Sequence, residues 1–324
     1  MPTPPRTMHA VRIRSFGGPA MLEIADIDTP QPRDGQLLLK VEAASLNPVD
    51  WKIREGKYPP VKDDKLPYVL GRDFSATVVH GAEGLPAGTL VHGMMDIAKG
   101  SLAEYVAVRP DELARVPAAL DRIGAAAVPL AGLTAWQGLF DHGGLQAGQR
   151  VLIHAAAGGV GHFAVQFAKA RGATVIATAS AGDLDFVRSL GADQVIDHVA
   201  QRFEDQLRDD VDLVFDLVGG ETQARSWGVI RRGGALVSTV QEPSADEAAA
   251  RGVRAARYTA ASNAGQLREI DALIEAGKVK PLVSRKFALG EFRAAFESLE
   301  HGHSTGKIVV DLANPITGLA APLQ

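Results

Sequence analysis

The chain has 324 residues, a formal charge of −4 at pH 7, 46% hydrophobic and 22% charged residues. That balance excludes a disordered polymer and a general affinity for nucleic acid or anionic membrane. Cysteine is absent, which excludes disulfides, thiolate catalysis, iron–sulfur clusters and cysteine-held zinc. Up to Leu120 the chain reads as short strands, 8–13, 36–45, 74–80 and 102–108, with one helical turn over 48–55. Gly17-Gly18-Pro19, Pro32-Arg33-Asp34-Gly35 and Pro86-Ala87-Gly88 punctuate them. Helices over 121–128 and 134–142 follow, then a strand over 150–154. From there the pattern alternates: helix 159–170, strand 174–178, helix 183–190, strands 194–197 and 212–217, helix 221–230, strand 234–240. Strands alternating with helices of this length predict a parallel sheet wound by right-handed crossovers. The polar, alanine-rich stretch 242–251 is expected as a loop or frayed helix. Strand 253–258, helix 264–276, strand 283–287, helix 289–301 and strand 307–312 complete the chain.

Two long uncharged stretches, 123–140 and 151–168, have the length of a membrane span but not its content. The first holds Pro129, Gly132, Thr134 and Gln137, the second His154, His162 and Gln166. The opening residues carry arginines and prolines without an apolar run, so the expectation is a cytoplasmic protein.

The strongest local signal is the strand Val151-Leu152-Ile153-His154, followed by Ala155-Ala156-Ala157-Gly158-Gly159-Val160-Gly161 and a helix. A pyrophosphate must approach such a turn more closely than a Cβ permits, and amides at the helix start then face its charge. Ala156 stands where the first glycine of the dinucleotide fingerprint is usual. Strand, turn, helix and second strand nevertheless have the span the motif needs. The second strand ends in Ala179-Ser180, with no acid to repel a 2′-phosphate and a hydroxyl able to donate to one. This charge argument favours NADP over NAD.

In this order, several motifs together resemble the zinc-independent quinone oxidoreductase branch of the medium-chain dehydrogenase/reductase superfamily. They are Asn47-x-x-Asp50-x-x-x-Arg54-x-Gly56-x-Tyr58, Gly71-Arg72-Asp73, Pro129 to Trp136, Ala155 to Gly161, Leu190-Gly191-Ala192-Asp193, Asp216 to Gly220 and Gly306-Lys307. The resemblance implies an α/β fold: a GroES-like β-rich domain, 1–124 completed by 263–324, and a Rossmann NADP-binding domain, 125–262. It also implies an active cleft between them. The superfamily's alcohol dehydrogenases hold zinc on Cys, His and Cys; here the first ligand position falls in the Asn47 segment and the histidine has become Arg72. None of the nine histidines pairs with acids at ligand spacing, and no metal site is expected.

The resemblance sets Asn47 and Tyr58 beside substrate and nicotinamide as the catalytic candidates, the Tyr58 hydroxyl a donor to developing negative charge. Asn47 reads equally as the cap of the helix opening at Pro48. Asp50 and Arg54 read as an exposed i,i+4 pair, and Arg72 with Asp73 as an ion pair or site residues. The cofactor candidates are Asn47, Thr134, Ala157, Gly158, Gly159, Val160, Gly161, Ser180, His198, Ser238, Thr239, Val240 and Lys307. Against these stand plainer readings: Thr134 as a helix N-cap, His198 as a surface histidine, Lys307 as a solvated lysine. Tyr258 and Trp51 wall a pocket or pack a core.

Three functions compete. An NADPH-dependent quinone reductase, expected as a homodimer acting on a small molecule, comes first; an alkenal or enone reductase shares its chemistry. The third is a nucleotide-binding protein with little catalysis, since no general acid–base dyad is visible.

Overall fold

The computed structural model describes residues 3–33, 35–82, 84–207, 210–301 and 305–313. The chain forms two compact units. The first takes the residues up to Leu130, Ser262–Glu275 and those from Leu282 on; the second takes Ala131–Ala261 and Ala276–Pro281.

The first unit is built on the long strand Leu37–Leu46, an almost uninterrupted buried run. It sits inside a seven-stranded sheet in the order Val283–Ala288, Lys307–Asp311, Leu37–Leu46, Asp73–Val78, Leu90–Met94, Leu113–Arg115, with Tyr105–Val108 also pairing with it. All pairings are antiparallel except Val283–Ala288 on Lys307–Asp311, which the helix Phe292–His301 connects. A smaller sheet orders Leu22–Asp28, Thr7–Ile13 and Tyr68–Val69. Val11, Ile13, Leu39, Phe74 and Phe296 belong to the core that fills this unit. Four strands lie outside the sequence pattern: Leu22–Asp28, Tyr68–Val69, Leu90–Met94 and Leu113–Arg115. Leu22–Asp28 is an edge strand carrying Glu23, Asp26 and Asp28, and Leu90–Met94 is broken in pattern by His92 and Gly93. At Gly93 a Cβ would collide with the Glu112 carbonyl oxygen, so the strand accepts glycine for closeness, not flexibility.

The second unit is a six-stranded, wholly parallel sheet. Its order is Gln194–Asp197, Thr174–Ala179, Arg150–Ile153, Val211–Asp216, Ile230–Ser238, Arg254–Arg257. The order reverses between Arg150–Ile153 and Val211–Asp216, the switch point at which doubly wound sheets bind ligands. The mixed α/β fold, β-rich unit plus parallel sheet, is the one expected. The stretch 242–251 is a regular helix, Ala245–Arg251: Ser244 caps it by accepting from the Glu247 N–H at 3.2 Å, and Gly252 ends it at φ 62°. Residues 276–281 pack on the second unit instead of the first. There Gln166 donates to the Lys280 carbonyl (3.1 Å) and accepts from its N–H (2.8 Å). Among the described residues no helix is long and apolar enough to cross a membrane.

Candidate active site

In the first unit, the strand Leu37–Leu46 delivers Ser45 and then Asn47 to the start of the helix Pro48–Arg54. Asn47 is almost fully buried, and its side chain does not cap that helix. Its Nδ2 donates to Asp73 Oδ2 at 2.8 Å and to the Ser45 carbonyl at 3.3 Å, and its Oδ1 accepts from Lys307 Nζ at 2.5 Å. Capping runs the other way, from Asp50, whose Oδ2 accepts from the Asn47 N–H at 2.8 Å. Lys307 is buried as well, donating to the Leu46 carbonyl at 3.0 Å with Asp73 Oδ2 at 3.6 Å. The solvated reading of Lys307 is therefore wrong.

Asp73 gathers this cluster. Besides Asn47 it accepts from Ser45 Oγ and from the N–H of Leu130, the second residue of the helix Pro129–Trp136. It forms no pair with Arg72, whose Nε donates to the Met95 carbonyl at 2.9 Å. Nor are Asp50 and Arg54 an exposed pair: both are fully buried and face different partners. Asp50 Oδ1 accepts from the Gly71 N–H at 3.0 Å, while Arg54 engages both carboxylate oxygens of Glu300 and donates to the Gly17 carbonyl. Burial raises the Asp50 carboxyl to about 6, against the pull of its two N–H donors. Burial also lowers the Lys307 ammonium, opposed by Asp73 and Asp50. Tyr58 is half-buried against the core, and its hydroxyl takes part in no hydrogen bond among the described residues.

In the second unit, the strand Arg150–Ile153 runs into a left-handed residue, Ala155 at φ 51°, and the helix Gly161–Ala170 begins six residues on. A Cβ on Gly161 would overlap the Ala155 carbonyl oxygen and Ala156, so helix and strand meet at glycine closeness. A Cβ on Gly158 would meet only the Ala155 oxygen at 3.3 Å. The N–H groups of Ala157, Gly159 and Val160 make no hydrogen bond among the described residues, leaving three donors at a helix start. This cradle fits the pyrophosphate of a dinucleotide.

The remaining cofactor candidates sit on or near the sheet's carboxyl edge with differing freedom. Ser180 Oγ donates to buried Asp183 at 2.6 Å, and His198 is exposed in the turn after Gln194–Asp197. Ser238 is buried: it donates to Asp216 Oδ2 at 2.8 Å and accepts from the N–H groups of Val240 and Gln241. Thr239 is half-buried and Val240 is 37% exposed, an apolar side chain left open at that edge. Thr134 lies inside the helix Pro129–Trp136, not at its cap, and its carbonyl accepts from the Tyr258 hydroxyl. Immediately after it the helix widens into a π-helix, Gln137–His142. His154 is buried between Thr178 and Ser226, and burial lowers it to about 4, so it is neutral at physiological pH.

The structure also makes a pair that the sequence does not reveal. His92 Nε2 meets Asp271 Oδ2 at 3.0 Å, across 179 residues, and both are buried. His92 Nδ1 faces the Ala125 carbonyl at 3.1 Å, so this dyad links the sheet to the helices beside it.

Residues 33–118 match the family described as alcohol dehydrogenase GroES-like domain, and residues 190–310 that described as zinc-binding dehydrogenase. The NADPH-dependent alkenal/one oxidoreductase of Arabidopsis thaliana is 39% identical over 324 residues, covering 94% of this chain and 80% of that protein. The 2-methylene-furan-3-one reductase of Solanum lycopersicum is 37% identical over 325 residues, with 94% and 79% covered. The quinone oxidoreductase structure from Coxiella burnetii superposes with a TM-score of 0.87 at 37% identity, covering 94% of this chain and 99% of that one. The chain is a zinc-independent, quinone-oxidoreductase-like member of the medium-chain dehydrogenase/reductase superfamily. Zinc does not fit the residues of this member: Asn47 is held at both ends of its amide, and Arg72 is a cation. Among the described residues no group of three or more His, Cys, Asp or Glu could hold a metal ion.

Proposed function

We propose that the protein reduces quinones with NADPH, without a metal. The observation that carries this reading is what occupies the superfamily's zinc-ligand positions: an amide locked by Lys307 and Asp73, and a guanidinium bonded to a carbonyl. With no Lewis acid to polarise it, the substrate must already be electrophilic, as a quinone is by conjugation.

When bound, NADPH would supply a hydride that, with one proton from solvent, would take a quinone to its hydroquinone. The chain's part is to hold and orient: Ala157 to Gly161 the pyrophosphate, Thr134, Asn47 and the 238–240 edge the nicotinamide side, Ser180 and His198 the adenosine side. Tyr58 donates its free hydroxyl to the oxygen that gains charge. Alkenal and enone reduction is a second reading, favoured by the names of the two plant relatives. There the hydride goes to the β-carbon, the electron pair to oxygen, and a solvent proton to the α-carbon.

Homodimeric assembly in the cytoplasm belongs to the same proposal. The strand Arg254–Arg257 supports the dimer, because it ends its sheet and pairs on one side only among the described residues. Light scattering tests the dimer, and fractionation of the source cells the compartment.

The decisive experiment is a steady-state panel of quinones, alkenals and enones with NADPH and NADH, repeated after exhaustive chelation. Quinone turnover with NADPH, unchanged by chelation, is expected. Retention of NADPH without turnover of any substrate would overturn the enzymatic reading.

A further inference from the structure

The hydrogen bonds around Asn47 leave its amide little choice. A lysine ammonium can only donate and an ionised carboxylate can only accept, so Oδ1 must face Lys307 and Nδ2 must face Asp73. Both Nδ2 protons are committed, one to Asp73 and the other to the Ser45 carbonyl. Oδ1 has two lone pairs, of which Lys307 takes one. One acceptor site is all that remains on this side chain. An amide in that state cannot stabilise a developing oxyanion, which needs a donor.

Resting on the reading of NADPH as cofactor, we propose that Lys307 is a positioning residue that fixes Asn47 as an acceptor. Asn47 then recognises an N–H donor, the carboxamide of the nicotinamide, and takes no part in stabilising charge on the substrate. Lys307 comes from the strand Lys307–Asp311, which pairs directly with Leu37–Leu46 at Ile308 and Leu46. The sheet register itself thus sets the ammonium beside the amide, 260 residues away in sequence. Asp73, on the neighbouring strand Asp73–Val78, completes the lock from the other side. Asp50 holds the backbone of the same residue through the Asn47 N–H. Three strands and one helix start therefore converge on a single residue.

Two measurements on the unaltered protein test this. With 15N-labelled asparagine, the two Nδ2 protons of Asn47 should exchange slowly with solvent in the absence of nucleotide; rapid exchange would overturn the lock. The 3-acetylpyridine analogue of NADPH lacks the carboxamide N–H. By fluorescence titration it should bind roughly 3- to 10-fold more weakly than NADPH, the worth of one hydrogen bond. Equal affinities would overturn the acceptor role. With Lys307→Met and Asp73→Asn combined, neither neighbour dictates which end of the amide faces it, and the ratio of the two dissociation constants should fall toward one while the melting temperature reports packing separately. A double variant that melts lower but keeps the full ratio assigns both residues to packing alone and refutes the proposal. If neither nucleotide binds, the cofactor reading fails, and the exchange rate alone still decides the lock.

Discussion

Gly161 shows how little room a single position has. A Cβ there would sit inside the van der Waals shell of the Ala155 carbonyl oxygen, at the point where the helix start must meet the strand end. Gly161→Ala should push the loop outward and displace the unpaired N–H groups of Ala157, Gly159 and Val160. NADPH affinity is expected to fall at least ~10-fold, with overpacking costing ~1–3 kcal/mol in a urea titration. Tyr58 makes the opposite case, a hydroxyl with no hydrogen-bond partner among the described residues. Tyr58→Phe should lower kcat by roughly 10²-fold or less while leaving NADPH affinity unchanged. An unchanged kcat would mean that the ring only packs, and a collapse of NADPH binding would move the residue to the cofactor side.

Among the elements, the helix Phe292–His301 is tied to the helix Pro48–Arg54 by a buried charge. Arg54 is wholly enclosed, and Glu300 supplies both of its carboxylate oxygens. Removing one partner of a buried ion pair leaves the other desolvated and uncompensated. Glu300→Ala should therefore destabilise the first unit by ~3 kcal/mol in equilibrium denaturation, Glu55 retaining part of the charge balance. This tie also explains what the sequence could and could not disclose. The glycine loop was legible because strand, turn and helix are contiguous, and the chemistry of each residue acts on its neighbours. The spacing of Asp50 and Arg54 suggests a surface pair, whereas their partners, Gly71 and Glu300, lie 21 and 246 residues away. Lys307 with Asn47, and His92 with Asp271, hide for the same reason: only the sheet pairing brings them together. The bond from the Tyr258 hydroxyl to the Thr134 carbonyl, just before the helix widens, likewise joins residues 124 apart.

Across the whole molecule, two buried groups, one in each unit, answer acid in opposite directions. In the first, Asp50 titrates at about 6 when folded against 3.8 for the ordinary carboxyl. Its contribution is most favourable below the ordinary value and is lost as pH rises through about 6, a change on the order of 3 kcal/mol. In the second, His154 titrates at about 4 against 6.5. Its contribution is present above 6.5 and is lost as pH falls through about 4. Between pH 7 and pH 4.5, differential scanning calorimetry should therefore show the second unit losing stability while Asp50 lends stability to the first. Asp50→Asn should remove the gain in the first unit, and His154→Gln should flatten the loss in the second.

The two hydrogen bonds between Gln137 and the backbone of Ala261 have a consequence of another kind. They lay side by side two points of the chain that are 124 residues apart. Nearly the whole parallel sheet is thus a long excursion that ends where it began. For such a closed excursion the entropy of joining the ends grows only logarithmically, each doubling in length adding ~0.6 kcal/mol. Insertions, deletions or an entire exchanged cassette between those points therefore barely tax the folding of the β-rich unit that carries them. Evolution, or an engineer, is free to retune the nucleotide site while the host scaffold remains almost indifferent to what it holds.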